Sequence, residues 1–181
     1  LRDYEQGDEI RRIDWRASAR HNRLMVRRYQ LEQHSDVMIL VDCGRLMGAD
    51  AGTGTKLDCA VDGALMLGQV ALAKGDRCGL GLFGERVLGY LPPQSGPRAY
   101  GVLLESLYKV EPSWQETNFG DMFAMLQVRQ QKRALVIVLS DMADTETTGR
   151  FRGALATLSK RHVVVFVALQ TPLLAAVLGA E

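Results

Sequence analysis

Cysteine is scarce and unpaired in this chain: Cys43, Cys59 and Cys78 are odd in number, widely spaced and form no CxxC pair. That pattern excludes a disulfide framework and the usual zinc-binding arrangement, and it leaves small buried thiols in a reducing compartment. Long hydrophobic runs are lacking too. Ala134–Leu139 and Val163–Leu169 are among the longest, far short of the roughly 20 residues of a membrane helix. Neither sign of charge dominates, since 22 lysines and arginines face 21 acids for a net charge of +1. The overall balance therefore gives no reason to expect nucleic acid or an anionic membrane as partner. Histidine is limited to His21, His34 and His162, and no GxSxG is present, so the nucleophile elbow of a serine hydrolase is missing. The chain opens on Leu1 with neither an initiator methionine nor a basic-plus-apolar leader, and the expectation is a segment of a longer protein.

What is present is enough apolar material for a core. Hydrophobic residues make up 47% of the 181 positions, which suits one domain or one domain with an arm. Charge is unevenly placed. Between Arg11 and Arg28 lie seven arginines, at positions 11, 12, 16, 20, 23, 27 and 28, with Asp14 as the single acid. The stretch has no clear period, carries Gly7 and Asp8 as a turn signal, and includes Trp15, a large aromatic that needs a packing partner. Residues 1–35 read as an arginine-rich arm and 36–181 as the domain proper.

From Asp36 short apolar runs alternate with longer amphipathic stretches, the pattern of strands joined by helices. Val37–Val41 is continuously apolar, which predicts a central strand buried on both faces and ending at Asp42. A helix is expected over Thr55–Lys74, opened by a capping-box pair of Thr55 and Asp58 and closed by Lys74-Gly75. Arg77–Phe83 and Arg86–Leu91 flank Gly84-Glu85 as a hairpin, with Pro92-Pro93 as its end. A short helix from about Pro97 through Leu103–Val110, a second over Asn118–Gln130 and a third near Thr147–Lys160 alternate with strands Ala134–Leu139 and His162–Leu169. The fold class is α/β: a mostly parallel, Rossmann-like sheet with helices on both faces and one antiparallel strand.

In such sheets ligands gather at the carboxyl ends of the strands near the topological switch point. Two expected strands end there in carboxylates, Asp42 and Asp141, and Thr117 starts a helix on the same edge. A hard cation such as magnesium wants several oxygens in a cluster of this kind. The plain alternative is that each residue caps a helix or turn.

The run Asp42-Cys43-Gly44-Arg45-Leu46-Met47 resembles the Asp-x-Ser-x-Ser metal-binding loop of the von Willebrand factor A fold, with Thr117 and Asp141 similar to that family's later threonine and aspartate. The likeness covers about Asp36–Leu169. Residues 1–20, LRDYEQGDEIRRIDWRASAR, closely resemble the signature of the bacterial family catalogued as domain of unknown function fifty-eight. That resemblance implies a von Willebrand A-like domain, often behind membrane helices, acting with MoxR-type AAA+ ATPases. One departure stands out. Gly44 and Leu46 replace the two serines of the loop and offer no side-chain oxygen, so Asp42, Thr117 and Asp141, helped by Asp50, Ser140 or water, would form a degenerate site. The expected cofactor is none, or weakly bound magnesium or manganese.

The resemblance and the residues together point to a non-enzymatic protein-binding module in the cytoplasm, free or as the cytoplasmic part of a membrane-anchored protein. Its contact residues would be Asp42, Arg45, Thr117 and Asp141, joined by Arg11, Arg12, Arg16 and Arg20, whose guanidinium groups can grip carboxylates bidentately. For the arm, an internal network of Arg2, Asp3, Asp8, Arg11, Asp14 and Arg20 is the competing reading. The rival functions are a divalent-metal-dependent hydrolase, its metal bound by Asp42 and Asp141, and a purely structural domain of a larger membrane-associated protein; Asp42 and Asp144 could supply acid-base chemistry, but no nucleophile or oxyanion donor is positioned beside them. Two phosphate-loop lookalikes fail on context: Gly79–Gly84 fits GxGxxG but lies within a strand and is followed by another strand, and Gly48–Lys56 has neither the P-loop spacing nor its hydroxyl, since Leu57 follows the lysine. The second reads as a flexible loop.

Overall fold

The computed structural model describes residues 2–5, 10, 13–26, 34–52, 54–141 and 149–170. Arg11, Arg12, Arg27, Arg28, Gly7, Asp8, Asp144 and Thr147 lie outside the described residues. By its contacts the chain divides into two compact units, Leu1–Gln33 and His34–Glu181.

In the first unit, strand β1 (Arg2–Asp3) pairs antiparallel with β2 (Met25–Val26), and helix α1 (Trp15–His21) lies between them in sequence. Asp14 starts α1 by accepting the Ala17 amide at 3.0 Å, and Asn22 ends it in the left-handed conformation at φ 52°. Ser18 then ties the helix to the strand. Its hydroxyl donates to the Asp14 carbonyl and accepts the Met25 amide, both at 2.8 Å. Asp14 is thus a cap, and Asp3 pairs with Arg23 at 3.0 Å across an exposed surface. Of the network expected around Arg20, Asp8 and Arg11 lie outside the described residues.

In the second unit five strands form one sheet in the order β5-β4-β3-β6-β7. These are β3 (Asp36–Asp42), β4 (Arg77–Phe83), β5 (Val87–Gln94), β6 (Ala134–Ser140) and β7 (Val163–Ala168). All neighbours are parallel except β4 and β5, which are antiparallel. Every residue of β3 is buried, as its unbroken apolar run requires of a central strand. Its side chains alternate between two cores. Val37, Ile39 and Val41 face helices α2 (Lys56–Ala73) and α3 (Ala99–Leu107), whereas Met38 and Leu40 face α4 (Phe119–Arg129) and α5 (Gly149–Ser159). The mostly parallel α/β sheet covered on both faces is the architecture that the alternation of runs predicts.

The differences have local causes. β5 runs through Pro92 and Pro93 to Gln94 instead of stopping before them. As an edge strand it can carry residues that lack an N–H, because no partner on its outer side needs one. The GxG of β4 serves packing. A Cβ on Gly79 would strike Met38, and one on Gly81 would strike Leu40 and Met122. Among the described residues of the segment after β3, a 3-10 turn at Arg45–Gly48 leads to an Asp50–Thr55 bridge. The amides of Ala51, Gly52, Thr55 and Lys56 are taken by the Gly54 carbonyl, Asp50, Asp58 and the Ala49 carbonyl, so none is spare for a phosphate.

Candidate functional site

Asp42 closes β3 and is 2% exposed. A carboxylate this deep requires donors, and three neutral ones reach it. The Thr117 hydroxyl at 2.6 Å and the Gly44 amide at 2.8 Å donate to Oδ1, and the Ser140 hydroxyl at 2.5 Å donates to Oδ2. Each comes from a different segment: the turn after β3, the loop before α4 and the end of β6. Ser140 is placed by register, one step past the paired Val41 and Leu139. Burial pushes the Asp42 carboxyl up from its ordinary range, the bonds from Ser140, Thr117 and Gly44 draw it partly back, and the nearby Asp141 charge adds to the rise.

Asp141 follows on the same edge and is met by a residue that sequence reasoning did not single out. Lys56 Nζ donates to Asp141 Oδ2 in an ion pair whose side chains are 5% and 12% exposed. Lys56 is the first residue of α2, whose start is fixed by the capping box of Thr55 and Asp58. Among the described residues it is the one buried lysine or arginine. The earlier signal was available but weak: a lysine opening a helix, where the positive end of the backbone dipole disfavours a cation.

The loop carrying Thr117 is pinned to the β3 turn. The Ser113 amide donates to the Cys43 carbonyl at 2.6 Å, the Arg45 amide to the Gln115 carbonyl at 2.9 Å and the Asn118 amide to the Gly84 carbonyl at 2.8 Å. Between these anchors Trp114 is 91% exposed, with Tyr108 exposed at the start of the loop and Arg45 exposed beside it. Trp114 also escaped the sequence reading, although a lone aromatic in the polar run PSWQET is a visible cue.

The expected residues thus fall into groups. Asp42 and Thr117 are bonded to each other, Asp141 shares their edge, and Arg45 is exposed on the adjoining turn. Arg16 and Arg20 are exposed on α1 of the other unit. Asp50 spends a carboxylate oxygen on the Gly52 amide of its own turn. The donor set suits a divalent ion poorly. Asp42 already accepts three bonds, the Thr117 and Ser140 hydroxyls direct their protons at it, and Asp141 holds an ammonium. No group of three or more histidine, cysteine or carboxylate side chains able to hold a metal occurs among the described residues. Gly44 does more than omit a ligand, because a Cβ there would run into the Thr117 hydroxyl. Nor is a reactive thiol at hand: burial and the Asp42 charge push Cys43 up to about 12, and burial pushes Cys78 up to about 11.

The model of the family described as "Protein of unknown function DUF58" matches residues 1–177. The chain belongs to the DUF58 family. Uncharacterized proteins of Mycobacterium tuberculosis and Mycobacterium bovis are each 21% identical to this DUF58 chain over 171 residues, covering 93% of it and 53% of the relative. The chain spans about half the length of those relatives. Among solved structures it is similar to an aerotolerance-related membrane protein from Bacteroides fragilis, at TM-score 0.60 and 21% identity over 75% of this chain and 67% of that one. It is also similar to BatB from Bacteroides thetaiotaomicron, at TM-score 0.58 and 22% identity over 74% and 66%. At these identities the likeness is one of fold, a mostly parallel α/β sheet with helices on both faces. Among the described residues no helix is long and apolar enough to cross a membrane.

Proposed function

We propose that this DUF58 chain is a non-catalytic, cytoplasmic protein-binding module whose recognition surface is the loop edge of the sheet, with Trp114 as anchor and Arg45 and Thr117 beside it. The observation that carries the reading is Trp114 itself, 91% exposed on a loop held by backbone bonds to Cys43 and Arg45. Tryptophan and arginine are enriched among the residues that dominate binding energy at protein interfaces, tryptophan because it buries a large area with two torsions to freeze and arginine because its planar fork pairs bidentately. A rigid loop presenting both lowers the ordering cost of docking. Asp42 and Asp141 contribute from beneath, holding the turn and loop in register, since both are engaged internally.

The family resemblance makes a MoxR-type AAA+ ATPase the expected partner, and Arg16 and Arg20 on α1 are exposed cations suited to an acidic patch on it. The test is titration calorimetry of the full-length protein against the MoxR-type ATPase of the same genome. Trp114→Ala should weaken binding at least about 30-fold, as loss of a hot-spot residue does, with an unchanged melting temperature. Wild-type affinity in both Trp114→Ala and Arg45→Glu would remove this surface from the interaction.

A further inference from the structure

We infer that Lys56 supplies, from within the chain, the positive charge that a divalent cation would otherwise bring to Asp141, so that this edge of the sheet is a metal-independent network. The inference concerns the network beneath the loops and holds whether or not a partner docks on them.

Three independent features support it. The first is the place of the lysine. A cation at the start of a helix opposes the backbone dipole, and burying an ammonium is expensive unless a carboxylate meets it. Lys56 bears both penalties, and its chain-distant partner, 85 residues away, is the carboxylate that a metal would need. The capping box and the Lys56 amide bond to the Ala49 carbonyl fix where its side chain begins. The second is the state of the other oxygens. An ammonium donates protons, whereas a metal collects lone pairs, and the Thr117 and Ser140 hydroxyls are both committed as donors to Asp42. The third is steric. A serine at position 44 could not enter without displacing Thr117, so the loop is fitted around its glycine and not merely short of a ligand.

The consequence is chemical. A partner at this edge meets Arg45, Trp114 and loop backbone, and it need not bring a carboxylate to complete a coordination shell.

The experiment is manganese binding, followed by electron paramagnetic resonance and calorimetry, on the full-length wild type, Lys56→Ala and Asp141→Asn. Melting curves in magnesium and in EDTA accompany it. The wild type should show no saturable site at this edge and no melting shift, where an occupied site at a hundredfold excess over Kd would raise Tm by about 5 °C or more. Lys56→Ala, which takes the ammonium away from Asp141, should bind manganese that the wild type does not. Wild-type binding abolished by Asp141→Asn overturns the inference, and so does a Lys56→Ala protein as indifferent to manganese as the wild type. If Lys56→Ala does not fold, Lys56→Gln removes the charge while keeping a donor to Asp141, and the same two outcomes apply.

Discussion

Strand β3 begins and ends on a buried aspartate, and the two ends treat that charge differently. At the amino end Asp36 is bonded by Gln130 Nε2 at 2.7 Å and approached at 3.6 Å by Arg77, whose side chain is 34% exposed. The cation there reaches in from solvent and spends its other nitrogens on the Pro93 carbonyl. At the carboxyl end Asp42 takes three neutral donors, and the cation, buried Lys56, sits on the next carboxylate, the half-buried Asp141. The first arrangement satisfies one charge with a buried amide and with a guanidinium that reaches solvent. The second closes a network over four segments around residues 42, 56, 117 and 140, so each loop of the edge depends on the others. A fold can bury the same residue type at both ends of one strand and tie only one of them into the loops that form its edge.

The largest effect that would sharpen this contrast is on stability. Lys56→Met should cost about 3 to 5 kcal/mol, because it leaves Asp141 charged in a place made for a pair. Arg77→Met at the other end should cost about 1 to 2 kcal/mol, since water can replace the half-exposed guanidinium. Urea denaturation measures both, and the double variant Lys56→Met with Asp141→Leu should recover a good part of the single loss. Equal costs for Lys56→Met and Arg77→Met would erase the distinction between the ends. A smaller contrast separates acceptor from ligand at Asp42. Asp42→Asn keeps an oxygen for Thr117 and Gly44 and should stay within about 1 kcal/mol, whereas Asp42→Ala strands the donors and should cost about 2 to 3 kcal/mol.

The elements of this comparison were unequally legible in sequence. The β3 run, the Thr55 and Asp58 cap and the Asn118 start of α4 are local signals, each set by residues within a few positions, and all three stand where expected. Asp42, Thr117 and Asp141 could be placed on one edge because strand ends and helix starts follow from topology. What they do there could not, because a carboxylate's partners are chosen by tertiary structure. Lys56 shows the limit: within its own stretch it is the misplaced lysine of a failed P-loop, and only a partner 85 residues on explains its burial. Pro92 and Pro93 mislead for a related reason, since edge position is a property of the sheet and not of the strand. The arm lacked a period because two-residue strands and a seven-residue helix are too short to show one.

The smallest expected effect lies at the amino end of the sheet, two strands over from Asp36. His162 precedes β7 and is buried; its Nδ1 accepts the Ala134 amide at 3.3 Å, while Nε2 has no hydrogen-bond partner among the described residues. Burial, and then the Arg161 charge, hold its pKa below the ordinary 6.5. The folded state therefore resists a proton that the unfolded chain accepts, so the stabilisation is present above about pH 6.5 and drains away as pH falls toward the folded value. One such group changes stability by at most about 1.4 kcal/mol per pH unit. Urea titrations between about pH 7.5 and 5.5 should show wild type losing stability faster than His162→Gln, which cannot titrate but retains an oxygen to accept the Ala134 amide. Parallel slopes for the two proteins would mean that protonation of His162 is as easy in the fold as out of it, and that this end of the sheet is open to water where the carboxyl end is not.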